Sequence, residues 1–271
     1  MHTPEAPPTP IPAVDPFARI LVGIDDTPES LVAAAQAGAL RPPGGRVVLV
    51  GVAERYLAAH AGLAAVQAED HISMHASDDL ARACELVEAD ETSLRSGRLV
   101  PVLLAECERR DATLIAIGVR PHRLLPAKVL RGHDVDALQE TTCSLLVARA
   151  GWGPHRPSRV IVGVDGSRES LAAEAVARSL AARLSCELIP VVGLEDLEAG
   201  AVLHAGREDA VVVPGTLVQA VGEAAGPSSL VVIGDRRPCG RRGARVVERV
   251  VFGVPGSVLV VRSTSGTVEA A

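Results

Sequence analysis

Short apolar runs alternate along the chain with longer stretches of helical character. The runs Arg19–Ile24, Arg46–Ala53 and Arg159–Val164 are nearly unbroken by polar residues, which is typical of strands covered on both faces. A helical stretch follows the first run at Pro28–Leu40, with Thr27 as its expected N-cap. This alternation of strand and helix predicts right-handed βαβ crossovers, and therefore a parallel sheet with helices on both faces.

One pattern occurs twice. The segments Arg19–Leu31 and Arg159–Leu171 keep Arg, Val, Gly, Asp, Glu, Ser and Leu at the same spacing, 140 positions apart. A second pair of matched strands, Leu114–Gly118 and Leu230–Gly234, follows at an offset of 116. We interpret the pattern as an internal duplication with a shortened second copy.

The remaining elements are less regular. In the first copy we expect a long helix from about Asp70 to Arg95, a short strand near Leu99 after Gly97, and a helix that begins at Pro101. The second copy is 24 residues shorter between the matched strands, and most of this loss falls where the first copy has its long helix. One crossover helix of the second copy is therefore expected to shrink to about one turn.

The last apolar strands of the two copies, Leu145–Arg149 and Val258–Arg262, each lie at a predicted sheet edge. Unpaired strand edges favour aggregation, and pairing or exchange of these two strands between the units would remove both edges. We therefore expect the two units to form an intramolecular pseudo-dimer with a pseudo-two-fold axis. A homodimer of the whole chain is a further candidate assembly.

The predicted organisation places two domains between a Pro-rich arm and a polar tail. The expected boundaries are 1–17 for a disordered Pro-rich arm, 18–150 for the first domain, 151–158 for a linker, 159–262 for the shortened second domain and 263–271 for the tail.

Composition supports this fold class and narrows the classes of partner. Of 271 residues, 48% are hydrophobic but only 1% are aromatic, so the cores are expected to consist of Val, Leu, Ala and Ile. A net charge of −6 argues against nucleic acid or an anionic membrane as partner of the whole chain. No apolar stretch reaches the roughly 18 residues of a membrane span. With no signal-peptide pattern at the N-terminus, a cytoplasmic location is expected.

Cysteine and histidine give no clear site. The five cysteines are scattered and odd in number, which disfavours a disulfide framework and a zinc site. Cys143 and Cys186 are interpreted as small buried hydrophobic residues. His71 and His75 have the i, i+4 spacing of two metal ligands, but an exposed polar helix face explains them as well, and no metal site is predicted.

Asp25 and Asp165, which follow the matched strands, are the candidate carboxylates for chemistry. No His, Lys or second carboxylate recurs beside them in both copies to complete an acid–base pair. The common signatures of NTPases, hydrolases and dinucleotide-binding enzymes are absent from the sequence. We therefore expect no enzymatic activity, and interpret both residues as helix caps or ligands of a ribose.

The strand ending in Val-Asp-Gly-Ser at 164–167, the helix after it, and the later strand ending in Val-Ile-Gly at 232–234 resemble the universal stress protein family. The resemblance covers nearly the whole chain between Arg19 and Arg262 as two tandem copies. It implies an α/β fold with two tandem open parallel five-stranded sheets and flanking helices. Some members of that family bind ATP and others do not.

The resemblance implies three features of the ATP-binding members: an Asp after the first strand, a Val at the end of the second strand, and a phosphate loop. The loop begins with Gly-x-x-Gly and, nine residues later, ends with Gly-Ser or Gly-Thr. The glycines of this loop let backbone N–H groups approach the phosphates. The residues that match these positions, and so form the candidate adenine-nucleotide sites, are Asp25, Val52, Gly118 and Gly132 in the first copy, and Asp165, Val192 and Gly234 in the second.

Both phosphate loops depart from the family pattern. Pro121 replaces the second glycine of the first loop and removes a backbone donor, while Arg237 occupies that position in the second loop. No cofactor is therefore certain, although ATP or another adenine nucleotide remains the candidate ligand. Six arginines lie within fourteen residues of the second loop, at 236, 237, 241, 242, 245 and 249.

The arginines support two interpretations, a solvated basic helix start or an anion patch of Arg237, Arg241 and Arg245 that meets a phosphate-bearing ligand. Taken together, the sequence predicts a non-catalytic regulatory or stress-response module. The alternative is an ATP-using enzyme of a related nucleotide-binding α/β fold, which would need an intact phosphate loop and a repeated catalytic group.

Overall fold

The computed structural model describes residues 15–25, 27–53, 65–119, 138, 141, 143–152, 156–195, 210–235 and 241–262, without the side chains of 65–70 and 241–245. The strands are β1 Arg19–Ile24, β2 Arg46–Ala53, β3 Glu91–Ser96, β4 Leu114–Gly118, β5 Ser144–Ala148, β6 Arg159–Gly163, β7 Glu187–Gly193, β8 Val211–Val213, β9 Ser229–Gly234 and β10 Ser257–Val261. The helices are α1 Pro28–Leu40, α2 Ala65–Val87, α3 Leu99–Arg110, α4 Arg168–Leu184, α5 Leu217–Ala224 and α6 Arg241–Gly253.

All ten strands form one sheet in the order β3-β2-β1-β4-β5-β10-β9-β6-β7-β8. Every neighbouring pair is parallel except β5 and β10, which are antiparallel. The α/β class and the two five-stranded parallel units are thus confirmed, but the units share a single continuous sheet.

The predicted pairing of the two final strands is confirmed. Val258 lies opposite Val147, and Val260 lies opposite Leu145. All five residues of each strand are buried. Two edges that would be exposed in separate units are therefore in the middle of the sheet.

The apolar core lies on both faces of the sheet, as the unbroken apolar strands predict. One face carries small residues of α1 and α4, such as Ala33 and Ala177, against Val22 and Val162. The other face carries Leu103 of α3 and Val250 of α6. Phe17, just before β1, is also buried in this core.

The region after α2 differs from the sequence prediction. The long helix ends at Val87, where Glu88 adopts a left-handed conformation with φ 47°. The third strand is β3, which occupies residues assigned to the end of that helix, while Leu99 begins α3 and is not in a strand. The shortened crossover of the second copy falls at 196–209, outside the described residues.

The cysteine expectation is wrong for one pair. Cys107, near the end of α3, forms a disulfide with Cys143, just before β5. Cys143 is therefore more than a small buried hydrophobic residue, whereas Cys186 is free and half-buried. The two cysteines that pair are 36 positions apart, a separation that carries no sequence signal.

A buried arginine follows each of the two central strands and crosses to the other half of the sheet. Arg149, after β5, donates from its guanidinium to the carbonyl oxygens of Gly256, at 3.0 Å, and Val251. Arg262, after β10, donates to the carbonyl oxygen of Leu138 at 3.0 Å. Since Leu138 and Val251 are equivalent in the two copies, the arginines exchange contacts across the pseudo-two-fold axis.

The environments of the two arginines are not identical. Arg262 lies 3.2 Å from the carboxylate of Asp235. Within the described ranges Arg149 has no acidic partner, and burial lowers the pKa of its guanidinium to about 10. Gln36 of α1 and Ser257 complete the network, because the Gln36 amide donates to the Arg149 carbonyl at 2.7 Å and Ser257 Oγ donates to Gln36 Oε1 at 2.8 Å.

Arg149→Ala is expected to lower the free energy of unfolding by about 2–4 kcal/mol, because two buried carbonyl oxygens lose their donor. Urea denaturation would measure the loss. Arg159→Ala is the control, since that side chain is exposed and its nearest carboxylate oxygen is 3.9 Å away. Its effect is expected to stay within about 0.5 kcal/mol. Equal effects of the two substitutions would show that the buried network does not hold the halves together.

Candidate functional site

The described residues of the two predicted nucleotide sites all lie at the carboxyl edge of the sheet. In the first half, β1 lies between β2, which carries Val52 near its end, and β4, which ends at Gly118. In the second half, β6 lies in the same way between β7 with Val192 and β9 with Gly234. Ligands of open parallel sheets bind at this edge. The structure therefore gathers Asp25, Val52 and Gly118 at one end of the sheet's first half, and Asp165, Val192 and Gly234 at the corresponding end of its second half.

Asp25 stabilises the turn from β1 into α1. Its Oδ1 accepts hydrogen bonds from the backbone N–H of Thr27 at 3.0 Å and from the Thr27 hydroxyl at 2.5 Å. Thr27 is the N-cap of α1 by position, as predicted, but its side chain makes no cap hydrogen bond. The hydroxyl that was expected to cap the helix is used by the aspartate instead.

Asp165 makes the same turn with a different use of the hydroxyl. Its Oδ1 accepts the backbone N–H of Ser167 at 2.9 Å, and Ser167 Oγ caps α4 by accepting the N–H of Ser170 at 3.1 Å. Gly166 adopts φ 83° between them, a conformation that favours glycine. In the second half, therefore, the serine hydroxyl caps the helix while the aspartate accepts the serine's backbone N–H.

A buried serine that was not among the predicted site residues supports each aspartate. Ser30 Oγ donates to the carbonyl oxygen of Asp25 at 3.1 Å, while Ser170 Oγ accepts the N–H of Asp165 at 3.4 Å. Both serines are less than 5% exposed. The signal was available, because Asp followed five residues later by Ser occurs in both copies.

Gly118 and Gly234 have a structural role that does not depend on a ligand. A Cβ added to Gly118 would lie 1.9 Å from the carbonyl oxygen of Glu29, and one added to Gly234 would lie 2.3 Å from that of Glu169. These carbonyls belong to the first turns of α1 and α4. Both glycines thus allow the helix start to pack against the neighbouring strand.

Val52 and Val192 are core residues, with side chains 4% and 0% exposed. A ligand at this edge could therefore meet only their backbone atoms. The other candidate residues are less well defined, since Gly132 and Arg237 lie outside the described residues. Arg241 and Arg245 belong to α6, of whose first five residues only the backbone is described.

A buried carboxylate lies beside the first site. Arg95, the β3 neighbour of Val52, donates to Glu106 Oε1 at 2.7 Å, and Arg110 donates to Glu106 Oε2 at 2.8 Å, with Arg109 as a third donor. Burial alone would raise the pKa of Glu106, but the hydrogen bonds from the three arginines lower it from 4.5 to about 2. The cluster fixes β3 to α3.

Two further expectations concern metal and membrane. His71 and His75 contact each other on the exposed face of α2, with 3.0 Å between their Nε2 atoms. In the part of the chain that the structure covers, no group of three His, Cys, Asp or Glu side chains could hold a metal ion. Among the same residues, no helix is both long and apolar enough to cross a bilayer.

Glu106→Gln is expected to reduce the free energy of unfolding at pH 7 by about 2–3 kcal/mol. Because the folded-state pKa is lowered, the ionised carboxylate stabilises the fold above about pH 4.5, and this contribution is lost as the pH falls towards 2. The free energies of unfolding of wild type and variant, measured by urea denaturation at pH 7, 4 and 3, should therefore approach each other as the pH falls. Glu108→Gln, on the exposed face of α3, is the control, and a difference that stays constant with pH would contradict the assignment.

Gly118→Ala and Gly234→Ala are each expected to destabilise the fold by about 1–3 kcal/mol, because the new methyl group overlaps the first turn of a helix. Gly222→Ala in α5 is the matched control, since nothing lies within 4 Å of its added Cβ. It should be neutral or stabilising by up to about 1 kcal/mol. Thermal unfolding without any nucleotide would distinguish this packing role from a role in binding alone.

Solved structures with the same fold cover nearly the whole chain. A universal stress protein from Archaeoglobus fulgidus matches with a TM-score of 0.68 and 17% identity, over 91% of this chain and 98% of that one. A universal stress protein from Pseudomonas aeruginosa, described as putative, matches with a TM-score of 0.58 and 17% identity, over 91% and 93% of the two chains. No curated protein sequence matches the chain.

The family comparison agrees with the motifs. Residues 16–149 match the model of the universal stress protein family. This segment contains β1 to β5, the first aspartate turn and Gly118. The second half has the same turn and the same strand order around β6. Residues 16–149 therefore form a domain of the universal stress protein family.

Proposed function

We propose that the protein is a non-catalytic stress-response module whose second half binds a phosphate-bearing adenine nucleotide weakly. Asp165 carries the proposal, because it lies at the carboxyl end of β6 and its Oδ1 is held by the Ser167 N–H. A carboxylate held in this way is a suitable acceptor for a ribose hydroxyl. The start of α4, next to it, supplies the positive end of a helix dipole.

The second half is the better candidate for binding a phosphate group, because its turn carries less negative charge. Its turn has Gly166 where the first half has Asp26, so the first site carries an additional carboxylate in its sequence. A second negative charge at that position opposes the binding of a phosphate group. The two halves are therefore proposed to differ, with the first serving mainly as a structural copy.

The arginine-rich segment after β9 is proposed to replace the backbone donors of an intact phosphate loop. Arg237, Arg241 and Arg245 follow Gly234 within eleven residues. Guanidinium groups bind phosphate oxygens in pairs. Because exposed charges are screened over about 10 Å at 0.1 M salt, such binding should weaken as salt rises.

Regulatory binding is favoured over the ATP-using enzyme by the absence of a repeated acid–base partner in the sequence. Asp25 and Asp165 are both engaged in the turn that starts a helix. That role accounts for an aspartate at both positions without a catalytic step. Release of phosphate from ATP by the purified protein would support the enzyme instead.

Calorimetric titration with ATP at low salt tests the nucleotide site. Asp165→Ala is expected to weaken binding roughly 5- to 150-fold, corresponding to about 1–3 kcal/mol for one charge-assisted hydrogen bond. Asp165→Asn is a second variant that keeps an acceptor for the Ser167 N–H, so the turn is preserved while the charge is lost. Asp25→Ala is the matched control in the first half and should leave binding unchanged.

The phosphate contact is tested separately by changing Arg237, Arg241 and Arg245 together to Ala. This variant should lose the salt-sensitive part of the thermal shift with ATP, pyrophosphate and polyphosphate. An identical shift in the triple variant and the wild type would refute the patch as a phosphate site. Binding that is equally sensitive to Asp25→Ala and Asp165→Ala would refute the asymmetry.

A further inference from the structure

A cavity lies at the opposite, amino-terminal edge of the sheet's first half. It has a volume of about 260 Å³ and lies between the starts of β1, β2 and β3 and the end of α3. Leu21 and Val48 contribute apolar surface, while Arg19, Arg46 and Arg110 contribute positive charge. The carboxyl-edge site is at the other end of the same strands.

Arg19 and Arg46 are register partners on the parallel strands β1 and β2, as are Leu21 and Val48 two residues later. Side chains two residues apart on a strand share a face, so both arginines lie on the face that carries Leu21 and Val48. Arg19 is oriented by donation from Nε to the carbonyl oxygen of Asp111. Two positive side chains on neighbouring strands repel each other unless an anion lies between them.

The acidic residues around the cavity are engaged by other cations. Glu91 pairs with Arg110 at 2.5 Å. Asp90 lies 3.5 Å from Arg41 and accepts the backbone N–H of Val47 at 2.8 Å. Within the described ranges, neither Arg19 nor Arg46 forms an ion pair. The cavity therefore presents two guanidinium groups without an ion pair of their own, beside two carboxylates that pair with other arginines.

The second half shows how the same position is neutralised without a ligand. Arg159, the counterpart of Arg19, is the register partner of Glu187 on β7. Arg159 Nε and Glu187 Oε2 lie 3.9 Å apart. Arg46 thus occupies the position at which the duplicated unit carries a carboxylate, and the first half has a cation pair in place of an ion pair.

We propose that this cavity binds a small organic dianion, a phosphomonoester or a dicarboxylate, between Arg19 and Arg46. Paired guanidinium groups match the planar carboxylate and the phosphate group, and the partly exposed Val48 offers apolar surface to a short carbon chain. The volume is below the 300–1,000 Å³ of typical pockets for larger ligands, which favours a small dianion over a nucleotide. The site is independent of the nucleotide site proposed for the second half.

Arg46→Glu is the decisive variant, because it gives the first half the cross-strand pair that Arg159 and Glu187 form. Thermal shift and calorimetry at low salt would use glycerol 3-phosphate and succinate as probes. The wild type is expected to bind at least one probe, and the variant to bind it at least tenfold more weakly. Without a probe the variant should be as stable as the wild type or more so, which excludes misfolding as the cause.

Two controls define the result. Arg82→Glu makes the same charge change on the exposed face of α2, with a side chain 65% exposed, and should leave probe binding intact. Asp165→Asn should also leave it intact, which separates this cavity from the nucleotide site. Equal binding by wild type and Arg46→Glu, or no binding of either probe by the wild type at millimolar concentration, would overturn the proposal. The stronger probe identifies the ligand as phosphomonoester or dicarboxylate.

Discussion

β5 and β10 would each be an open sheet edge if the two halves of this protein were separate. Their antiparallel pairing removes both edges at once, and the remaining structure depends on it. Arg149 and Arg262 follow the paired strands directly, so the same registration that aligns the strands brings each guanidinium to carbonyl groups of the opposite half. A shift of either strand would leave buried charges without their acceptors.

The two edge strands of the sheet, β3 and β8, limit further strand pairing in other ways. β3 is polar, with five of its six residues exposed, and the Glu106 cluster fixes it to α3. β8 has three residues, and its first two valines are 46% and 39% exposed. A polar edge and a very short edge are two of the devices by which sheets limit further pairing. The strands between these two edges are apolar, and the polar site residues follow at their ends.

Much of this architecture could be read from apolar runs and from the duplication. β1, α1, β2 and β4 coincide with the predicted segments, because each is a buried run or begins at a clear helix start. β3 could not be recognised, since an edge strand with one buried residue has no apolar pattern. The end of α2 carries no stop signal either, because Glu88 takes the left-handed conformation usually given to glycine.

The candidate site was predictable in position but less so in role. Asp25 and Asp165 could be placed because a strand followed by aspartate and a helix occurs twice, and the resemblance pointed to Gly118 and Gly234. The contact of each glycine with a helix start depends on packing between elements far apart in sequence. The same holds for the Glu106 cluster and the Cys107–Cys143 disulfide, which join segments without a local signature.

The central strand pair also sets the timing of folding during synthesis. Val147 emerges from the ribosome long before its partner Val258 exists. At roughly 5–20 residues per second, the intervening chain takes on the order of 10 s to make. During that interval the first half has an apolar edge strand without its neighbour, which is a surface that chaperones and other nascent chains can occupy. Slower translation between these strands is therefore expected to lengthen the time during which the edge of β5 is open.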